Sequence, residues 1–254
     1  MVSGLVATAH DHVLVALHRI FRTDKLIAPL VKRCLDNSSH QSIIDLCSGG
    51  SGPMRDVLKI IRAEAGYENV SLTLSDLYPN TMAATAINQN STSGVTYKTE
   101  SVDATNVDLS LGGVRTMICS LHHMPPEVAH MILQDAAAKK QPICVFEISD
   151  NSPPIWGWWV GIPMGIVAVL FLSVFIRPVT WRQLFFTYII PILPLLIAWD
   201  GAVSNARTYT KNDLEILLRA VDSKNYKWEI GSFRTPGNPL AMLYIVGLPD
   251  SIQK

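Results

Sequence analysis

The sequence predicts an α/β fold: a doubly wound, mostly parallel seven-stranded sheet that ends in an antiparallel hairpin and carries an inserted hydrophobic helical hairpin. Three observations predict it. From Ile43 onward short apolar runs alternate with amphipathic stretches, as in successive strand–helix units joined by right-handed crossovers. Near the C-terminus "YKWEIGSFR", "TPGNP" and "LAMLYIVGL" read as strand, turn and strand with no room for a helix, so those two strands run antiparallel. Between these parts lie two long apolar segments that fit neither pattern.

Taken in order, residues 1 to about 40 read as helical, with Leu14, Leu17, Ile20 and Phe21 near helical spacing. "SIIDLC" is a buried strand, and "PMRDVLKIIRAEAG" a helix opened by Pro53 and closed near Gly66. "VSLTLSD" and "PNTMAATAINQN" are the next strand and helix. "VTYKTESVDAT" supplies a third strand and its turn, "VRTMICSL" a fourth strand, "PPEVAHMILQDAAAKK" a helix, and "PICVFEIS" a fifth strand. In all, strand and helix alternate five times. After the insertion, Thr210 and Asp213 have capping-box spacing at the start of "TKNDLEILLRAVD". The domain organisation that follows is an N-terminal helical segment (1–40), a main domain built from 41–152 and 207–254, and an insertion at 153–206.

Bulk properties narrow the partners. Lys+Arg and Asp+Glu both total 21, which gives no net field to attract nucleic acid. Mean hydropathy is +0.24 with only 17% charged residues, high for a purely soluble enzyme. Cys34, Cys47, Cys119 and Cys144 form no C-x-x-C pair and suggest a reducing compartment. The opening residues lack a charged n-region, which argues against a secretory signal. His10-Asp11-His12 imitates a metal site, but i,i+2 residues diverge on a helix, so no metal is expected.

The candidate site is the carboxyl edge of the sheet, where ligands of open parallel sheets bind. "IIDLCSGGSGP" places small residues, Cys47 to Gly52, after the first strand, where a ligand can approach the backbone and the next helix offers free N–H groups. Neither a P-loop nor G-x-G-x-x-G is present. Asp76 ends the second strand, where an acid can take both hydroxyls of a ribose. Asp103 follows the third, within reach of an adenine amino group. Ser120, His122 and His123 follow the fourth.

In this order, "DLCSGGSG", "LSDLYPN", "SVDAT", "ICSLHHMPPE" and "VFEIS", with the terminal hairpin, resemble a class I S-adenosylmethionine-dependent methyltransferase over residues 40–150 and 207–248. The resemblance implies S-adenosylmethionine as cofactor. It implies that Asp45, Ser48 and Gly49 face the methionine part, that Asp76 binds the ribose, that Leu77 flanks the adenine, and that Asp103 with Ala104 holds the adenine edge. Cys47 and Ser120 complete the cofactor rim. The usual pattern has glycine where Cys47 and Ser51 stand. "SLHHMPP" replaces the D/N-P-P-aromatic sequence of many amino-group methylating enzymes, which with the charge balance argues against a nucleic-acid substrate.

Methyl transfer needs an acceptor held in line and, where necessary, a base. His122 and His123 are both candidates for that base, and the sequence leaves the choice open. Ile155–Ile176 is uncharged over 22 residues, and Gln183–Trp199 over 17 with Pro191 and Pro194 inside. Trp156, Trp158, Trp159, Trp181 and Trp199 cluster at the segment ends, as interfacial anchors do. A full spanning hairpin would put Arg177 and Arg182 on the far side, so a re-entrant or interfacial hairpin competes with two spans. Because the block follows the fifth strand, a lipophilic acceptor is expected, with Glu147, Asp200 and Arg207 orienting its polar head. The expected setting is a membrane with the catalytic domain on the cytoplasmic side. The alternatives are a soluble small-molecule enzyme whose insertion is a lid or dimer interface, and a non-catalytic membrane-anchored binding protein.

Overall fold

A computed structural model describes residues 18–50, 52–89, 94–151, 157–174, 179–234 and 241–250. His10 to His12, Leu14, Leu17, Ser51, Ile155, Trp156, Arg177, the "TPGNP" turn and the side chains of Trp158 and Trp159 lie outside the described residues.

The first described helix is broken where the sequence predicts continuity. Residues 18–20 are helical, Arg22 turns into the left-handed region at φ 51°, and α1 (Thr23–Asp36) starts afresh. The break rotates the helical face, so Ile20 is 59% exposed and not part of the core. Ile27, Val31 and Leu35 of α1 are instead the residues buried against the sheet.

Seven strands form one sheet: β1 (Ser42–Asp45), β2 (Ser71–Leu74), β3 (Val95–Tyr97), β4 (Val114–Ile118), β5 (Ile143–Glu147), β6 (Tyr226–Phe233) and β7 (Met242–Pro249). Their order is β3-β2-β1-β4-β5-β7-β6. β1 to β5 pair in parallel, and β7 runs antiparallel to both β5 and β6. The expected hairpin is thus present, with its second strand inserted beside β5. Alternate residues of each strand face opposite layers. Ile43, Leu72 and Val114 meet α1, α2 (Met54–Arg62) and α3 (Thr81–Asn88). Ile44, Met117 and Ile245 meet α4 (Pro126–Ala138) and α8 (Lys211–Arg219) on the other face.

The crossover between β3 and β4 is the turn read after the third strand, and it interrupts the strand–helix alternation there. Between β3 and β4 the chain forms no helix, because Asp103 and Asp108 fold residues 98–113 into side-chain-capped turns. Such carboxylates compete with helical hydrogen bonds for the backbone N–H groups.

The insertion comprises α5 (Gly157–Leu172), a short α6 (Trp181–Leu184) continued by a π-type turn (Phe185–Ile189), and α7 (Ile192–Arg207). The Trp181–Ile189 segment meets α7 at a bend of 81°. Pro191 ends one segment, and Pro194 fits the first turn of the next, where its missing N–H has no partner to lose. α5 packs on α7 through small residues: a Cβ built on Gly165 would lie 3.2 Å from the Ala198 Cβ. Among the described residues no single helix is long and apolar enough to cross a membrane, although the bent pair passes on combined length.

Candidate active site

The turn after β1 is built by backbone geometry. Cys47, Gly49 and Gly52 all take positive φ, 58°, 50° and 48°. A Cβ on Gly49 or Gly52 would meet nothing within 4 Å, so these glycines serve the left-handed conformation and leave the backbone open to a ligand. Cys47 adopts that conformation without glycine's freedom, at a cost of roughly 1–2 kcal/mol. Its thiol is pushed up to about 12 by burial, then by Asp76, and stays protonated. The Ser48 N–H donates to the Ser75 carbonyl at 2.9 Å, locking this turn to the end of β2.

Beneath the turn, Asp45 is buried. Its carboxyl accepts from Thr116 Oγ1 at 2.6 Å and from Ser48 Oγ at 2.7 Å. Burial raises its pKa to about 7; the two hydroxyl donors pull the other way, and Asp76 adds to the rise.

Asp76 bridges the two strand ends. Its Oδ2 accepts from the Gly49 N–H at 3.0 Å and its Oδ1 from the Tyr78 N–H at 2.9 Å. The Asp76 carbonyl accepts from the Val102 N–H at 2.9 Å, and Ser101 Oγ donates to the Leu77 carbonyl at 2.6 Å. These bonds draw the loop carrying Asp103 alongside Asp76 and the exposed Leu77. Asp103 Oδ1 is occupied by Thr105 N at 2.8 Å and Oγ1 at 2.7 Å, a local turn. Ala104 has its side chain in the core, which leaves its backbone for a ligand.

After β4, Cys119 also takes a left-handed φ of 52°, turning the chain into a 3₁₀ turn at Leu121–His123. Ser120 is buried, and its hydroxyl has no hydrogen-bond partner among the described residues. Glu147, at the end of β5 and 6% exposed, accepts from His122 Nδ1 at 2.8 Å through Oε2 and from the His122 N–H at 3.2 Å through Oε1. A carboxylate accepts only, so Nδ1 carries the proton and Nε2 is the ring nitrogen left for proton transfer. His123 is exposed, with its ring 4.1 Å from that of His122. The geometry therefore separates two histidines that the sequence could not, and gives Glu147 the task of holding His122.

α7 packs over the Leu121–His123 turn. Asn151 Nδ2 donates to the Ala206 carbonyl at 3.0 Å, fixing the end of α7 near the end of β5. Asp200 and Arg207 are exposed on this helix, seven residues apart and so on one face. Hydrogen bonds thus tie Asp45, Ser48, Gly49, Asp76 and Leu77 to one another or to the segment just before Asp103, with Cys47 and Ala104 next to them in the chain, and Ser120, His122, His123 and Glu147 stand at the ends of β4 and β5. Asp200 and Arg207 stand on the helix above. Sequence reasoning missed Thr116, Tyr97, whose hydroxyl donates to the Gly49 carbonyl at 2.9 Å, and Tyr209, whose hydroxyl donates to the Met124 carbonyl at 2.6 Å. Thr116 was visible as a polar residue inside an apolar strand; the tyrosines left no signal.

This sheet order, with its reversed β7 and its ligand edge at β1, β2 and β4, defines the fold of the class I S-adenosylmethionine-dependent methyltransferases. No family model and no curated protein matches the chain. Solved structures do. The chain is similar to the methyltransferase domain of bacterial CtHen1 (TM-score 0.52, 10% identity, 89% of this chain and 97% of that one). It is also similar to OxaC in complex with SAH and oxaline (0.51, 14%, 87% and 46%). A third likeness is to a Rhodobacter sphaeroides protein described as a Zn-dependent alcohol dehydrogenase (0.50, 14%, 95% and 96%). The chain spans about half the length of several structures that it matches, 52% and 56% of two others. These neighbours carry different names on one fold, so the likeness speaks to architecture, and activity has to be argued from the site.

Proposed function

We propose that this chain transfers a methyl group from S-adenosylmethionine to a small lipophilic molecule, at a membrane and with the catalytic domain on its cytoplasmic side. The observation that carries the reading is the hydrogen bond between the Gly49 N–H and Asp76 Oδ2, which joins the glycine-bearing turn and the ribose-type acid into one rim. The residues fit the cofactor. Ser120 Oγ is a buried polar atom lacking a protein partner, where an unmet hydrogen bond is costly, and Asp76 stands half-buried at the rim beside exposed Leu77. OxaC, a neighbour of the same fold, is solved with SAH, the demethylated form of that donor.

The cofactor supplies an electrophilic methyl carbon on a sulfonium. His122 Nε2 would be the group to take a proton from the acceptor, and Glu147, which holds the ring through Nδ1, would steady the imidazolium. A lipophilic acceptor is supported by α7, whose apolar first half leads to the His122 turn. A second reading runs the same reaction in solution, with the insertion as a lid or dimer interface. It is favoured by the packing of α5 on α7 and of α7 on the site turn, as a lid would pack.

Calorimetry with S-adenosylmethionine tests the cofactor assignment. Loss of two charge-assisted hydrogen bonds, each about 1.5–3 kcal/mol, weakens Asp76→Ala by about 100-fold or more while circular dichroism stays native. An unchanged affinity in that variant overturns the assignment.

A further inference from the structure

We infer that the inserted helices rest in the headgroup–acyl boundary of one leaflet, as a foot that dips into the bilayer without crossing it. The inference rests on the membrane setting proposed above and adds the mode of contact.

Of the 21 large apolar side chains exposed among the described residues, fourteen lie between Val160 and Trp199. A soluble monomer rarely concentrates so many exposed apolar side chains in one segment of chain. On α5 the exposed residues Val160, Met164, Val167 and Phe171 repeat at helical spacing along one face. The remainder of α5 offers no alternative polar side, because "GWWVGIPMGIVAVLFL" contains no charged or hydrogen-bonding side chain except the indoles. This distinguishes lipid from a second copy of the chain. A folded partner covers one face and leaves the flanks in water, whereas a fluid closes around every side.

Polarity changes abruptly at Trp199, which is 63% exposed and precedes Asp200. An indole at such a boundary suits the interface. Gly165 on α5 lies level with Ala198, by their near contact. Beyond that level each helix runs seven or fewer residues to its outer end, Leu172 or Ile192, and the whole of α5 is 16 residues, about 24 Å at 1.5 Å per residue. The hydrocarbon core is about 30 Å thick, so α5 falls short of crossing it even when upright. The 81° bend turns the intervening segment aside instead of extending it.

The polar groups of this part are handled as a lipid environment requires. Gln183 Nε2 donates to the Ser173 carbonyl at 2.9 Å, Ser173 Oγ to Val169 at 2.6 Å, and Tyr188 to Leu170 at 2.5 Å. Thr187 is the exception, with a buried hydroxyl that lacks a partner among the described residues. Arg182 is the one charge in 157–174 and 179–199, and its guanidinium sits 5.5 Å over the Trp181 ring, a cation–π contact that offsets part of the cost of carrying a charge into the boundary region.

Two measurements on the full chain decide the matter. In flotation with phosphatidylcholine vesicles, without cofactor, the protein rises with the lipid and stays bound in 0.5 M salt, because contact is apolar. Phe171→Asp combined with Leu195→Asp lowers the bound fraction about tenfold while S-adenosylmethionine affinity is kept. For topology, Arg182→Cys carries a nitrobenzoxadiazole label, with the unsubstituted protein as the blank for native thiols, and dithionite is added outside the vesicles. A one-leaflet foot loses essentially all label fluorescence. Flotation with a label shielded from dithionite overturns the foot but leaves the membrane setting standing. Failure to float, with a stable dimer in sedimentation, overturns both the foot and the membrane setting; the calorimetric test of the cofactor stands apart from either result.

Discussion

Asp45, at the end of β1, and His18, in the helical stretch before α1, are both buried, and burial moves their pKa values in opposite directions. The Asp45 carboxyl rises from 3.8 to about 7 through desolvation. Native protein therefore holds this proton when unfolded chain has released it. Its stabilising contribution is complete below about pH 4 and is lost as pH climbs towards 7, a change of roughly 4 kcal/mol at 1.4 kcal/mol per pH unit. His18, against Cys119 and bonded to Thr23 Oγ1 at 2.6 Å, falls from 6.5 to about 4, also through desolvation. Its contribution is present above pH 6.5 and is lost as pH falls towards 4, roughly 3 kcal/mol. Between pH 4 and 6.5 the two slopes oppose each other, and the wild-type protein changes little from this pair. Asp45→Asn keeps an acceptor for Thr116 but removes one slope. Its stability is expected to rise by about 3 kcal/mol from pH 4 to 6.5 relative to the wild-type profile. Urea unfolding followed by circular dichroism at half-unit pH steps measures it. Parallel profiles for Asp45→Asn and wild type would refute the reasoning.

Two further expectations concern stability. Arg115 is wholly buried in β4, paired with Asp135 Oδ2 at 2.7 Å and Gln141 Oε1 at 2.6 Å. Asp135→Ala strands that guanidinium and should cost about 3–5 kcal/mol in chemical denaturation; a loss below about 1 kcal/mol contradicts the burial. Cys47→Gly relieves the left-handed strain against a gain in unfolded-chain freedom, so it is expected to stabilise by up to about 1 kcal/mol, and a clear destabilisation would show that the thiol's packing dominates.

Much of the fold was legible because sheet-forming runs and helix starts are local. The predicted capping box at Thr210 forms in both directions, with Thr210 Oγ1 accepting from Asp213 N at 3.2 Å and Asp213 Oδ2 accepting from Thr210 N at 2.9 Å. The β6–β7 reversal followed from loop length alone. The break at Arg22 was not legible, since the His18–Thr23 bond that spans it goes with the tertiary contact of His18 on Cys119. Nor was the His122–Glu147 pair: residues 25 apart in sequence meet only because β4 and β5 lie side by side in register. Asp76 was legible as a strand-end acid, whereas Tyr97 needed 48 residues of chain folded back upon themselves to reach Gly49.

The place of the insertion in chain order has a consequence for synthesis. β5 borders β7, and Ile143 pairs with Gly247, 104 residues later. A ribosome therefore releases the oily helices while one border of β5 still lacks its neighbour. Until β7 emerges, the nascent chain carries a bare strand edge and an unshielded greasy segment together, the combination that promotes aggregation. Early capture of that segment by a lipid surface or a chaperone would leave the unfinished strand border as the only hazard, so the timing of capture, more than the closure entropy of so long a connection, governs the yield of native protein.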